Sequence, residues 1–297
     1  MNRSADRATP RSAPWAVIAA LGAVYVIWGS TYLAIRVAVE AYPPFFMGAV
    51  RMAAAGALML AFLRWRGAAL PTPTQWRNLV LMGLWMVLLA NGLVNLAEQE
   101  VSSGLAAIAV ASMPLWAALF LVLRGEHPSR GEWFGLVLGF VGVLWLNLGS
   151  DLAATPKGLI ALLIAPLAWA WGSVWSRGVD LPAPFMSAAG QMLCGAAWML
   201  AAGFVTGESI PAEWPADATL AVIYLVTFGS IVGFTAYIWL LRHVRPALAT
   251  SYAYVNPPIA VLFGAVLLGE RFTAHDLGAM AVILVGVAII ALSKARR

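Results

Sequence analysis

Ten apolar runs divide this 297-residue sequence almost from end to end, at residues 15–35, 44–63, 78–97, 102–123, 133–150, 158–176, 184–205, 218–241, 247–268 and 276–293. About 20 consecutive apolar residues cross the hydrocarbon of a bilayer as a helix. In that medium every backbone amide must find its partner inside the chain, which makes each run a transmembrane helix. The connections between runs are short, and several carry proline. Composition agrees: 62% of residues are hydrophobic, 10% are charged and the mean hydropathy is +0.84, against about 25% charged residues in soluble domains. The sequence therefore predicts an all-α integral membrane protein with ten transmembrane helices and the lipid bilayer as its surroundings.

The first run is preceded by a polar segment carrying Arg3, Arg7 and Arg11, which imitates the front of a signal peptide. Trp15 to Ile35 is longer than the 7–15 residues of a signal core, so it reads as a retained first helix. Cys194 is the single cysteine and lies inside an apolar run, which excludes an internal disulfide and a thiolate zinc cluster. The net charge is +5, but the basic residues are scattered singly between apolar runs, a pattern that argues against nucleic acid as a partner.

Lysine and arginine in short loops orient membrane helices, being enriched on the cytoplasmic side. With a cytoplasmic N-terminus, fourteen of the eighteen fall on that side, three (Arg36, Lys157 and Arg271) on the other, and Arg51 within a span. A miscounted helix would scramble every later loop, so the clean split supports ten spans with both termini cytoplasmic.

A second regularity is internal. Trp28-Gly29-Ser30-Thr31-Tyr32 returns near the start of the second half as Trp171-Gly172-Ser173-Val174-Trp175. Phe46-Met47 answers Phe185-Met186, Arg51-Met52 answers Gln191-Met192, Met113-Pro114 answers Pro257-Pro258, Gly125-Glu126 answers Gly269-Glu270, and Gly142 answers Gly286. Five spans per half is an odd number, so the second half enters the bilayer from the opposite side. The expectation is two inverted five-helix repeats, residues 15–150 and 151–293, with cytoplasmic tails at 1–14 and 294–297. Such a plan is common in secondary transporters.

These residues resemble the drug/metabolite transporter superfamily, and within it the EamA type of bacterial metabolite and amino-acid exporters. The resemblance rests on W-G-S-x-aromatic in the first helix of each half, a proline in the fourth, and Gly-Glu just after it, and it covers residues 15–293. It implies ten helices around a central cavity, a bacterial inner-membrane location, and export of small metabolites without ATP.

Residues three and four apart share a helix face. Trp28, Thr31 and Tyr32 line up on one face, as do Trp171 and Trp175, while the Gly-Ser pairs fall on another that suits close helix approach. Trp28 and Trp171 stand at mirrored depths near the midplane, where inverted-repeat transporters bind substrate. Their rings either stack on a planar or cationic substrate or fill space between helices. Asn91, Asn95 and Gln99 form a polar stripe that must face a wet cavity or another helix, because unpaired amides are costly in lipid. Tyr252 and Asn256 share a face just before Pro257 and Pro258. Those prolines, with Pro114, break or kink their helices and are candidate gates. Arg51 lies ~10 Å inside the second span at 1.5 Å per residue. It either pairs a substrate carboxylate, with Gln191 as its uncharged twin, or snorkels to the surface. The Gly-Glu pairs read as helix ends. No Asp or Glu falls mid-membrane, with Glu98 and Gln99 placed near the outer mouth, so proton antiport through a buried first-helix carboxylate is not expected.

The reading that follows is an ATP-independent secondary transporter that exports small-molecule metabolites, amino acids and aromatic ones among them, by alternating access as a monomer or homodimer. The alternative cargo is cationic or aromatic drugs. An intramembrane enzyme is disfavoured because G-x-S-x-G and H-E-x-x-H are absent. A channel is disfavoured because rings of charge are lacking. No catalytic residue, metal ligand or cofactor motif is present, and the phosphate-binding G-x-x-x-x-G-K-[ST] loop is missing.

Overall fold

The computed structural model describes residues 14–101, 103–148, 155–268 and 273–293. The expected tails and Gly269-Glu270 lie outside the described residues, apart from Pro14. Among the described residues the chain forms helices and no strand: α1 (Pro14–Ala41), α2 (Pro44–Trp65), α3 (Pro73–Glu100), α4 (Ser103–Ala111), α5 (Met113–Leu123), α6 (Arg130–Leu146), α7 (Pro156–Trp175), α8 (Pro184–Thr206), α9 (Ala216–His243), α10 (Pro246–Ala249), α11 (Tyr252–Leu268) and α12 (Ala274–Leu292).

The ends of these helices follow local chemistry. Proline stands in the first turn of α2, α3, α7, α8 and α10, where its missing N–H costs nothing. Thr72, Ser129 and Thr273 each cap a helix reciprocally with the residue three positions on, Gln75, Glu132 and Asp276. Gly125 adopts φ +79° behind α5, and Glu126 N–H donates back to the Leu121 carbonyl at 2.9 Å, which is the helix-terminating role expected of that pair.

Among the described residues seven helices are long and apolar enough to cross a membrane: α1, α2, α3, α7 with its short extension to Gly178, α8, α9 and α12. The runs expected as the fourth, fifth and ninth spans are not among them. The fourth breaks at Ser112 into α4 and α5, α6 has only 17 residues, and the ninth breaks at Thr250-Ser251 into α10 and α11. The second break corrects the expectation for the prolines. Pro257 and Pro258 sit inside α11, and the chain yields before them. There the Thr250 and Ser251 hydroxyls donate to the Pro246 and Leu248 carbonyls, and tight i to i+3 bonds carry the chain into α11. Pro114 opens α5, where no donor is lost.

The outward surface is apolar. Leu33, Phe62, Phe134, Leu163, Phe204, Leu220 and Leu284 are all exposed, as lipid-facing side chains are. Trp15 and Trp65 are exposed near helix ends, the position of an interfacial aromatic belt.

Two extensive helix pairings join counterparts in the two halves, α2 with α8 and α6 with α12. In the second, backbone meets backbone: a Cβ on Gly286 would stand 2.7 Å from the Gly139 nitrogen and 2.9 Å from the Gly135 carbonyl. Small residues permit such an approach. Helix α3 is π-helical from Gly83 to Gly92, and α9 from Leu225 to Phe234, at equivalent places in the two halves. Between these pairs α1 lies against α9 and α11, and α7 against α3 and α5, enclosing the largest core.

Candidate functional site

A cavity opens in that core. Helix α1 supplies Trp28, Thr31, Tyr32 and Ile35, the face that i, i+3, i+4 spacing predicts. Arg51 enters from α2, Ala90, Asn91 and Val94 from α3, Val110 and Met113 from the broken α4–α5 rod, Ala165, Pro166 and Trp169 from α7, and Tyr252 and Asn256 from α11.

Its floor is an aromatic box. The Trp28 ring centroid lies 4.5 Å from Tyr252, 5.2 Å from Tyr237 and 5.4 Å from Trp169, the contacts with Tyr252 and Trp169 being edge-on. Phe234 closes the box at 6.4 Å from Trp28 and 5.9 Å from Trp169. Polar handles hold the rings. The Trp169 indole N–H donates to the Tyr237 hydroxyl at 2.8 Å, that hydroxyl bonds Ser173 at 2.7 Å, and Ser173 donates back to the Trp169 carbonyl at 2.7 Å. The Trp28 indole donates to the Gly229 carbonyl at 3.0 Å, within the π-helical stretch of α9.

Gly233 is what lets Trp28 reach it. A Cβ there would stand 2.5 Å from the indole nitrogen. Gly233→Ala is therefore expected to swing the indole away. Leaving that buried donor unpaired costs ~1–3 kcal/mol of stability. Melting in detergent checks this, and a wild-type melting temperature would show that the ring is free to adjust.

The two Gly-Ser pairs do what the motif predicts of small residues, and more. Gly29 faces Ile259 and Gly172 faces Met86 so closely that a Cβ would collide with either side chain. Ser30 adds a hydrogen bond to the Tyr224 hydroxyl, as Ser173 does to Tyr237.

Trp171 and Trp175 are a correction. Neither lines the cavity: Trp171 turns to Phe120 at 5.4 Å, and Trp175 packs at the edge of the core. The α7 tryptophan in the box is Trp169. Two residues along a helix is a rotation of about 200°, so following the motif register selects the wrong face. A usable signal is present in Trp169 and Ser173, four apart on one face of α7. Gly229, Gly233 and Tyr237, spaced by fours on α9, form the complementary face, and Tyr237 is likewise missed by the motif.

The polar stripe of α3 divides. Asn91 lines the cavity and its side-chain amide donates to the Met86 carbonyl at 2.9 Å, inside the π-helical stretch. Asn95 and Gln99 instead reach other helices, donating to the Pro44 carbonyl at 3.4 Å and the Val39 carbonyl at 2.7 Å. Glu98, expected near the outer mouth, is buried at 5% exposure, with Arg36 and Tyr32 in electrostatic reach.

Arg51 does not snorkel. Its side chain is buried and tethered through Nε to Ser230 Oγ at 2.8 Å. Its Nη1 has no hydrogen-bond partner. Its repeat twin Gln191 is fully buried away from the cavity, with both amide atoms unpartnered. Asn256 bonds Tyr32 through its amide, and its Oδ1 is unpartnered. Among the described residues no cluster of His, Cys, Asp and Glu could hold a metal ion.

Comparison with known proteins agrees with this architecture. The model of the EamA-like transporter family matches twice, over residues 14–148 and 156–292. The uncharacterized inner membrane transporter YedA of Escherichia coli K12 is 44% identical over 276 residues, covering 93% of this chain and 90% of that protein. A WAT1-related chloroplastic protein of Arabidopsis thaliana is 26% identical, covering 90% of this chain and 67% of its own length. The transporter YoaV of Bacillus subtilis is 23% identical, covering 92% and 96%. A solved crystal structure shares the fold at TM-score 0.77 and 22% identity, covering 94% of this chain and 98% of that one. Together with the seven apolar helices, these matches identify a multi-pass inner-membrane transporter rather than an enzyme. With a family match in each half and a close relative along nearly the whole length, the chain belongs to the EamA-like transporter family of the drug/metabolite transporter superfamily.

Proposed function

We propose that this protein is an ATP-independent exporter of small aromatic metabolites bearing a carboxylate, amino acids among them, and that it works by alternating access. In this reading residues 15–150 and 151–293 are inverted five-helix repeats, all ten helical rods cross the bilayer, and both termini are cytoplasmic. The observation that carries it is the aromatic cavity with the unpartnered Arg51 guanidinium nitrogen at its wall. Buried polar groups without partners are rare in native structures and ask for an explanation, and a substrate carboxylate supplies one. The paired π-helical stretches of α3 and α9 support a rocking motion. Such bulges loosen the helical ladder and occur at functional sites, and here one contributes Ala90 and Asn91 to the cavity lining and the other Phe234 to the box. Export of cationic aromatic drugs would also suit the aromatic box, but the guanidinium opposes it.

Counterflow in proteoliposomes tests the carrier. Uptake of labelled phenylalanine or 3-phenylpropanoate, with no ion gradient, is expected to saturate and to rise severalfold when the same compound is preloaded. Uptake that stays linear with concentration and ignores preload would replace the carrier with a channel.

A further inference from the structure

Two residues that line the cavity each carry a buried atom without a partner, and the two atoms differ in kind. Arg51 Nη1 is a charged donor, whereas Asn256 Oδ1 is a neutral acceptor. Arg51 is 3% exposed, and Ser230, Gly229 and Thr31 around it carry no charge. No carboxylate lies within ion-pair distance of it among the described residues. The buried Glu98 faces Arg36 and Tyr32. The cavity therefore holds one uncompensated positive charge and no negative one.

A buried charge without a counter-charge is costly, and an arriving anion removes that cost by pairing with it. A zwitterion brings a second charge, the ammonium, which must leave water for a neutral amide oxygen and the faces of the box. Cation–π attraction to those rings is smaller than the hydration lost, and the nearby guanidinium repels it. Asn256 Oδ1 suits a neutral N–H or O–H donor instead.

We propose that the cavity selects aromatic monocarboxylates, net anions with a flat ring, over the matching zwitterionic amino acids and cationic amines, with Arg51 reading the charge. The proposal deepens the transporter reading and rests on its placing of the substrate in this cavity.

Isothermal titration of the purified, detergent-solubilised protein tests it with three probes of closely matched ring and chain: 3-phenylpropanoate, L-phenylalanine and phenethylamine. The acid is expected to bind about tenfold tighter than the amino acid or better, and the amine not measurably. Arg51→Lys should keep this order, and Arg51→Gln should remove the preference for the acid. The proposal is overturned if phenylalanine binds wild type as tightly as the acid, if Arg51→Gln keeps the preference, or if wild type binds none of the three. The wild-type ranking stands even if the glutamine variant does not fold. Because titration needs no transport, selective binding without counterflow would count against the carrier reading alone.

Discussion

Alanine at Trp169 is expected to destabilise the protein by about 3–5 kcal/mol, the range for removing a buried tryptophan, and to abolish measurable binding of aromatic ligands. The side chain is 7% exposed and touches Trp28, Phe234, Tyr237 and Tyr252 at centroid distances of 5.3 to 6.5 Å. Its indole N–H is also the donor to Tyr237 that begins the closed loop through Ser173. Truncation leaves both a void beside the cavity and a buried hydroxyl short of a donor. Trp169→Phe separates the two effects: it keeps a ring and loses mainly the hydrogen bond, for about 1 kcal/mol. Trp171→Ala provides the contrast. That ring is only partly buried and meets the single ring of Phe120, so its loss should cost less than half as much and leave affinity intact. Melting in detergent and ligand titration read both quantities. An affinity loss at Trp171 larger than at Trp169 would return the binding face to the motif register.

Gly286→Val is expected to be the most disruptive single change outside the cavity, costing about 3 kcal/mol or more and sharply lowering the yield of folded protein, as overpacking does where nothing can move aside. The new side chain would run into the backbone of Gly139 and Gly135, and Gly135 in turn stands against the Gly286 carbonyl. Relief requires α6 and α12 to separate along their whole contact. Gly278→Ala, on the same helix, is the control. Its Cβ would meet only the edge of the Trp145 ring at 3.0 Å, a side chain that can shift, and alanine favours the helix by up to ~1 kcal/mol. If the Gly286 variant melts with the control, close backbone contact is not what holds α6 to α12.

Much of the molecule is legible in the order of its residues. Helix type and approximate limits follow from run length, since lipid leaves the backbone no other partner. The family follows from the duplicated W-G-S, proline and Gly-Glu features. On α1, periodicity alone selects Trp28, Thr31 and Tyr32, because residues on one face of one helix share an environment. The same rule fails for Trp171 because the halves are not in constant register. Gly29 and Gly172 hold the same place in the two copies of the motif and both serve close helix contacts, yet the box pairs Trp28 with Trp169 and not with its motif counterpart Trp171. It fails for the stripe of α3 as well, because Asn91, Asn95 and Gln99 meet different neighbours as the helix rises past the cavity.

Hydropathy and helical period, which belong to the chain alone, are enough to settle the class of protein, most of its helices and which residues share a face on each helix, while the repeated motifs carry its duplication and its likeness to a family. They do not settle where Arg51 points, that Glu98 is buried, which tryptophan of α7 enters the box, or that the ninth run yields at Thr250-Ser251 rather than at its prolines. Each of these depends on which helix lies opposite and how closely it approaches, and no local pattern encodes the identity of a neighbour from the other half of the chain.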